Sequence, residues 1–235
     1  MRRQLLVATA LTTTTTFLVP GIAAAQTGVW DWSGPYIGAG VSASVADTTF
    51  DFVYPDPDDQ GDAPSSVMIP ELGYGGTITG GFNLQRGNIV YGLEADGTVT
   101  TLSGQRTGGS LDESDGYEVN DRLDALLTLR GRLGVTAGQL LLYGTAGLAV
   151  GITSYETDIR QDPDFVPATA AGVAFGPTAG LGVEVALNDA ISLKAEGLVT
   201  KLGGPTATGD NGKGPYTVDR QSLQVDVRTG VNVHF

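Results

Sequence analysis

The 235-residue sequence contains no cysteine, one histidine and two methionines. Without cysteine there is no disulfide framework, no thiolate-held zinc or iron–sulfur centre, no thiol nucleophile and no lipid-modified cysteine anchor. One histidine removes most imidazole-based metal sites. Basic residues are also scarce: 13 Lys and Arg stand against 26 Asp and Glu, for a net charge of −13. A surface with that balance repels nucleic acid, whose phosphates require cationic partners. After the first 25 residues no apolar run approaches the length of about 18 residues that a membrane helix requires. Glycine, by contrast, is plentiful at 35 residues, and the 41% hydrophobic content is too high for a disordered chain.

Residues 1–25 have the layout of a secretory signal peptide. Arg2 and Arg3 provide the positive start, the segment from Leu5 to Val19 is mostly apolar, and Pro20-Gly21 breaks it. Ala23-Ala24-Ala25 supplies small residues for cleavage. The expected mature domain is 26–235, two units more negative than the whole chain because both leader arginines are lost. Export without disulfides fits a Gram-negative envelope.

The mature chain repeats with a period of two residues, the period of a strand and not of a helix. Ile37, Ala39, Val41, Ala43 and Val45 share one face, with glycine and serine on the other. Leu123, Ala125, Leu127, Leu129, Leu133 and Val135 alternate with Arg122, Asp124, Thr128, Arg130, Arg132 and Thr136. Eight such segments occur, near 36–45, 74–85, 89–101, 122–136, 139–152, 173–187, 191–202 and 220–235. They are long for globular strands, whose usual length is about 5–6 residues. The connections alternate in length. Arg86-Gly87-Asn88, Ala137-Gly138 and Asn188-Asp189-Ala190 are tight turns, whereas 46–73, 102–121, 153–172 and 203–219 are long. The acidic excess falls in the long connections. Such segregation predicts an all-β, eight-stranded antiparallel up-and-down transmembrane barrel, with short turns in the periplasm and long loops outside.

On the polar face the pattern places the acids Glu94, Asp96, Asp124, Glu184, Glu196 and Asp226. With them come the bases Arg122, Arg130, Arg132, Lys194, Arg220 and Arg228. Parity alone is shared by a lipid-facing barrel and by a soluble β protein with charges outside. The aromatics discriminate. Trp32, Tyr36, Phe82, Tyr91, Tyr143 and Phe235 fall near the short-turn end, and Tyr74, Tyr155 and Phe175 near the other. None falls mid-strand, which is the arrangement of two interfacial belts. The charges are then expected inside as a structural network, with Glu94 and Asp96 facing Arg130 and Arg132, and Lys194 and Glu196 facing Asp226 and Arg228. An eight-stranded barrel is just wide enough for side chains to fill it.

Several motifs resemble a known family. Trp32-Ser33-Gly34-Pro35-Tyr36-Ile37-Gly38 matches the W-x-G-x-Y-x-G opening of the porin-family, opacity-type surface antigens of alphaproteobacteria, whose barrel is OmpA-like. GGFNLQRGNIVYGLEAD (80–96), LTLRGRLGVTAGQLLLYGTAGLAVG (127–151) and GLGVEVALNDAISLKAEGL (180–198) resemble its successive hairpins. VRTGVNVHF (227–235) resembles its closing strand. The resemblance implies an eight-stranded barrel in the outer membrane, in contact with outer-membrane lipid. It also implies that Phe235 is the assembly signal read by the barrel-assembly machinery. Val135, Pro177 and the acidity of the first long loop depart from the family pattern.

No catalytic set is expected. His234 lies at the short-turn end, and no Gly-x-Ser-x-Gly nucleophile elbow is present. No cofactor is implied. Asp56, Asp58, Asp59 and Asp62 in the first long loop form the first half of a calcium-loop pattern, but Val67 stands at the twelfth position where a bidentate glutamate belongs. They are at most weak divalent-cation ligands. Three functions follow in order: an outer-membrane surface protein with a structural, envelope-integrity role; a narrow channel for small solutes or ions; and a soluble periplasmic barrel for an apolar ligand.

Overall fold

The computed structural model describes residues 30–56, 58, 63–110, 115–160 and 166–235. The proposed signal peptide and the loop acids Asp59 and Asp62 lie outside these residues. Ten antiparallel strands are formed: β1 (Gly34–Val53), β2 (Ser66–Arg86), β3 (Ile89–Thr100), β4 (Ser103–Ser110), β5 (Asp115–Ala137), β6 (Leu140–Arg160), β7 (Ala168–Ala186), β8 (Ile191–Gly203), β9 (Ala207–Asp210) and β10 (Pro215–His234). They follow one another round a closed ring, because β1 pairs with both β2 and β10. β4 continues the line of β3, and β9 that of β8, so the wall is eight strands in circumference.

The tight turns follow from local chemistry. Gly87 and Gly138 adopt φ of 64° at the first central position of two-residue hairpins, where a side chain would be strained. Close approach constrains two further glycines. A Cβ on Gly81 would meet the Tyr36 ring at 2.4 Å, and one on Gly182 the Tyr143 ring at 2.3 Å. Each ring lies inside the barrel across the glycine paired with it.

The two faces follow the alternation in inverted sense. Ile37, Val41, Ile78, Leu93, Leu129, Leu148, Leu181 and Val227 project outward and are exposed, whereas Thr, Asn, Arg, Asp and Glu side chains fill the inside. Phe82, Tyr91 and Phe235 ring the short-turn end of the outer wall, and Tyr74 and Phe175 ring its other end. These two rings bound the membrane-spanning band.

Three sequence expectations are corrected here. Trp32, Tyr36, Tyr143 and Tyr155 are buried within the lumen and do not belong to the outer belts. The segments predicted as long loops are largely strand, since β1, β2, β5, β6 and β10 run 20 to 23 residues and rise well beyond the Tyr74–Phe175 ring. There the outer face turns polar, with Asp47, Arg122, Lys201 and Asp219. Finally, the β5–β6 register shifts between Leu123 and Ala125, a β-bulge. One extra residue reverses parity. Above the bulge Leu123, Asp121 and Val119 therefore point inward, and Leu123 joins the interior although it was expected to face lipid.

The interior is layered. Trp30, Trp32, Val90, Leu141, Tyr143 and Ala186 close the short-turn end. A charged layer follows. An apolar layer of Ala46, Leu102, Leu123, Leu126, Ala149, Ala174 and Leu202 lies above it. A larger apolar core that includes Phe50, Phe52, Ile69, Val119, Ile159 and Tyr216 fills the outer end.

Candidate functional site: the charged layer of the lumen

The layer is assembled around Arg130, which projects inward from β5 and is fully buried. Its Nη2 reaches Glu94 Oε1 at 2.5 Å and Asp96 Oδ2 at 2.7 Å, and its Nη1 reaches Glu196 Oε1 at 2.9 Å. The remaining bonds run from Nη1 to Thr145 and from Nε to Thr128, 3.0 Å each. Lys194 Nζ donates to both oxygens of Glu94 at 2.9 Å. Arg228 Nη1 donates to Asp96 Oδ1 at 2.6 Å, and Thr128 donates to the other oxygen of Asp96.

Below this centre, Arg132 pairs with Glu184, donates to the Tyr36 hydroxyl at 3.2 Å and lies 3.7 Å from the Tyr143 ring centroid. Tyr36 in turn donates to Glu94 Oε2 at 2.7 Å. Glu184 also accepts from Ser192 and from Asn232, the latter at 2.7 Å. Asp226 accepts from Ser44 at 2.5 Å and Gln224 at 2.8 Å.

Ten of the twelve expected interior residues, all but Asp124 and Arg122, are thus buried. Asp124 sits on the bulge and faces out, where it pairs with Arg122 at 2.5 Å with side chains 43% and 64% exposed. The pairing pattern also differs from expectation. Glu94 and Arg130 are direct cross-strand neighbours, as anticipated. Glu196 and Arg228 are direct neighbours in the β8–β10 ladder, as anticipated, but Lys194, Glu196 and Arg228 make their shorter bonds across the lumen to Glu94, Arg130 and Asp96, and within β8 Lys194 lies 3.8 Å from Glu196. The lumen is narrow enough for long side chains to span it, so ion pairs join opposite walls as well as neighbouring strands. Sequence reasoning missed Tyr36, Tyr143, Ser192 and Asn232 as members of the layer; their strand parity with the charges was the available signal.

Below the layer the lumen is plugged. Trp30 and Trp32 pack edge to face with ring centroids 4.3 Å apart, and Trp30 lies 4.8 Å from His234. Trp32 Nε1 donates to Thr136 at 3.0 Å. Ser192 and Glu184 both meet the same histidine nitrogen, Nε2, at 2.9 and 3.3 Å. A nucleophilic relay requires the carboxylate on the opposite ring nitrogen, so this trio orients a structural histidine.

Phe235 is 72% exposed on the outer wall, and its N–H bonds the Pro35 carbonyl at 3.0 Å. In the first loop the Asp58 N–H bonds the Asp56 carboxylate at 3.0 Å.

A barrel with a lipid-facing exterior and a packed charged lumen is also what comparison with known proteins returns. The family model described as an outer membrane protein beta-barrel domain matches residues 14–232. This chain belongs to that family. It is 30% identical over 184 residues to the 31 kDa outer-membrane immunogenic protein of Brucella melitensis, covering 77% of this chain and 75% of that one. It is 31% identical over 163 residues to a 22 kDa outer membrane protein of Rhizobium leguminosarum, covering 69% and 67%. The solved structure of the outer membrane protein OprG from Pseudomonas aeruginosa superposes with a TM-score of 0.56 at 15% identity, covering 88% of this chain and 98% of OprG. That likeness is one of fold. The protein is an outer-membrane β-barrel surface protein of this family, as the resemblance read from its motifs implied.

Proposed function

We propose that this protein is a sealed structural barrel of the outer membrane, supporting envelope integrity and presenting an acidic outer end, and that it neither conducts nor catalyses. The single observation that carries this reading is Arg130, bonded across the lumen to Glu94, Asp96 and Glu196 between an apolar layer above and the tryptophan plug below. Passage through the centre would require that network to break. The interior charges are then structural staples between opposite walls. Phe235, held at the end of β10 with its ring on the outer wall, is the element we assign to recognition by the assembly machinery. Asp56 and Asp58 are left as weak divalent-cation ligands at most.

The test is reconstitution in planar bilayers after folding is verified by heat-dependent gel migration. Folded protein is expected to give no unitary conductance steps. Steps from the unaltered protein would overturn the sealed reading in favour of a narrow channel.

A further inference from the structure

From Thr178 downward the strand ring is continuous. Above it the wall is not. β2 and β4 pair at Leu72↔Ser103 alone. β7 pairs with β8 from Thr178↔Thr200 downward and above that only at Phe175↔Gly203. The next backbone pairing between these walls is the single bridge Val166↔Asp210, although the Tyr155 and Tyr216 hydroxyls also donate across to the Pro205 and Thr157 carbonyls. Prolines line both interruptions, Pro70 in β2, and Pro177 and Pro205 at the other, where each lacks an N–H for a ladder. The outer end is therefore two facing sheets, β2-β1-β10-β9 and β4-β5-β6-β7, continuous with one closed barrel below.

Beneath the apolar core that joins these sheets lie three buried ionisable side chains. Arg220 of the first sheet grips Asp121 of the second through two bonds, Nε to Oδ1 at 2.9 Å and Nη2 to Oδ2 at 2.5 Å. Glu71, on the first sheet and only 4% exposed, lies against the same aspartate. Neither of its carboxylate oxygens makes a hydrogen bond of good geometry. One guanidinium thus serves two carboxylates. The other elements packed here add no charge: β1 presents Thr48, β4 the backbone of Gly104, β6 Tyr155, and β10 also Ser222.

We propose that Glu71, Asp121 and Arg220 form a proton-operated latch between the two outer half-sheets, closed while Glu71 is protonated and released when it ionises. A neutral Glu71 leaves the Arg220–Asp121 pair undisturbed. An ionised Glu71 places two anions on opposite sheets against one cation, out of water, and their repulsion drives the sheets apart. The direction of titration agrees: burial first, and then the Asp121 charge, pushes the Glu71 carboxyl up to about 8. A carboxyl whose folded value is raised stabilises the closed form fully below its ordinary range near 4.5, and that stability is lost as pH rises through about 8. The layer that seals the lumen lies below the latch, so release loosens the outer end without opening a pore.

The chain's lack of cysteine allows a clean measurement. Val53→Cys and Glu156→Cys put one nitroxide spin label on the outer face of each sheet. Their distance distribution is measured by pulsed electron resonance in detergent micelles between about pH 6 and about pH 9.5, a span that brackets the titration. A narrow distribution that gains a longer component with a midpoint near pH 8 is expected, and Glu71→Gln should abolish that component at every pH. Should Glu71→Gln not fold, Asp121→Asn serves instead. It frees Arg220 to pair with Glu71, lowers the titration and should remove the transition near pH 8. A distribution that does not change with pH, or that changes equally in a folded variant, would overturn the proposal.

Discussion

Arg130 illustrates how much one side chain holds in this lumen. Its guanidinium contacts three carboxylates and two hydroxyls, and none of these groups has access to bulk water. Removing one partner of a buried ion pair strands the other, at a cost of about 3–5 kcal/mol. Arg130→Ala is therefore expected to lower the thermal unfolding midpoint well below that of the unaltered protein, as followed by the boiled-to-unboiled gel shift. Asp124 is the internal control. It was expected in the same network, yet the bulge in β5 puts it outside, in an exposed pair worth about 0–1 kcal/mol. Asp124→Ala should leave the midpoint nearly unchanged. A large loss there would mean that the bulge is misplaced and the residue faces inward.

Between residue and barrel, strand β5 shows why element-level detail matters. Its lower half, Leu127 to Thr136, follows strict alternation and was legible from sequence. Its upper half has reversed parity because of one extra residue between Leu123 and Ala125. A bulge leaves no composition signal when apolar and polar residues flank it on both sides, as Leu123-Asp124-Ala125 do. Deleting Asp124 should close the bulge, make Leu123↔Thr153 and Ala125↔Ile152 consecutive pairs and leave Val119, Asp121 and Leu123 inward. Both the membrane band and the outer sheets should survive. Amide exchange should stay slow in residues 115–123 as in 126–136, and a rise confined to 115–123 would mean that the extra residue lies elsewhere. The hairpin turns make the opposite point. Gly87→Ala introduces a Cβ at φ of 64°, a strain of about 1 kcal/mol that is felt at one turn only and should be detectable as a small, additive loss of stability.

At the scale of the whole molecule, a closed barrel continues upward into two facing sheets. In the membrane every backbone group must be paired within the wall, so an interrupted ladder is excluded there. Above the membrane, water and side chains can satisfy the edges, and the wall can part. The interruption between β2 and β4 lies above the Tyr74–Phe175 ring, where this argument permits it, and that between β7 and β8 begins at its rim, at Gly176–Pro177. The loops expected at 46–73 and 153–172 proved to be mostly strand for a related reason. Their inward residues, including Phe50, Phe52, Tyr155 and Ile159, build an apolar core that pays the ordering entropy of the extension. Mature protein transferred from urea into micelles should fold to a heat-modifiable species. If it dissolved without detergent and showed no gel shift, the lipid-facing assignment of Leu93, Leu129 and Leu181 would fail.

What the sequence by itself determined was everything set by local periodicity: the strand class, the circumference of eight, the tight turns, the apolar exterior and ten of the twelve expected interior charges. These depend on alternation and on turn residues, which act between near neighbours. Only the tertiary structure decided which charge meets which, because partners such as Lys194 and Glu94 are 100 residues apart and meet across the lumen. The tertiary structure alone also turned the tryptophans inward as a plug and gathered Glu71, Asp121 and Arg220 from three strands. Closing a ring brings opposite walls within side-chain reach, and no pattern along the chain encodes that distance.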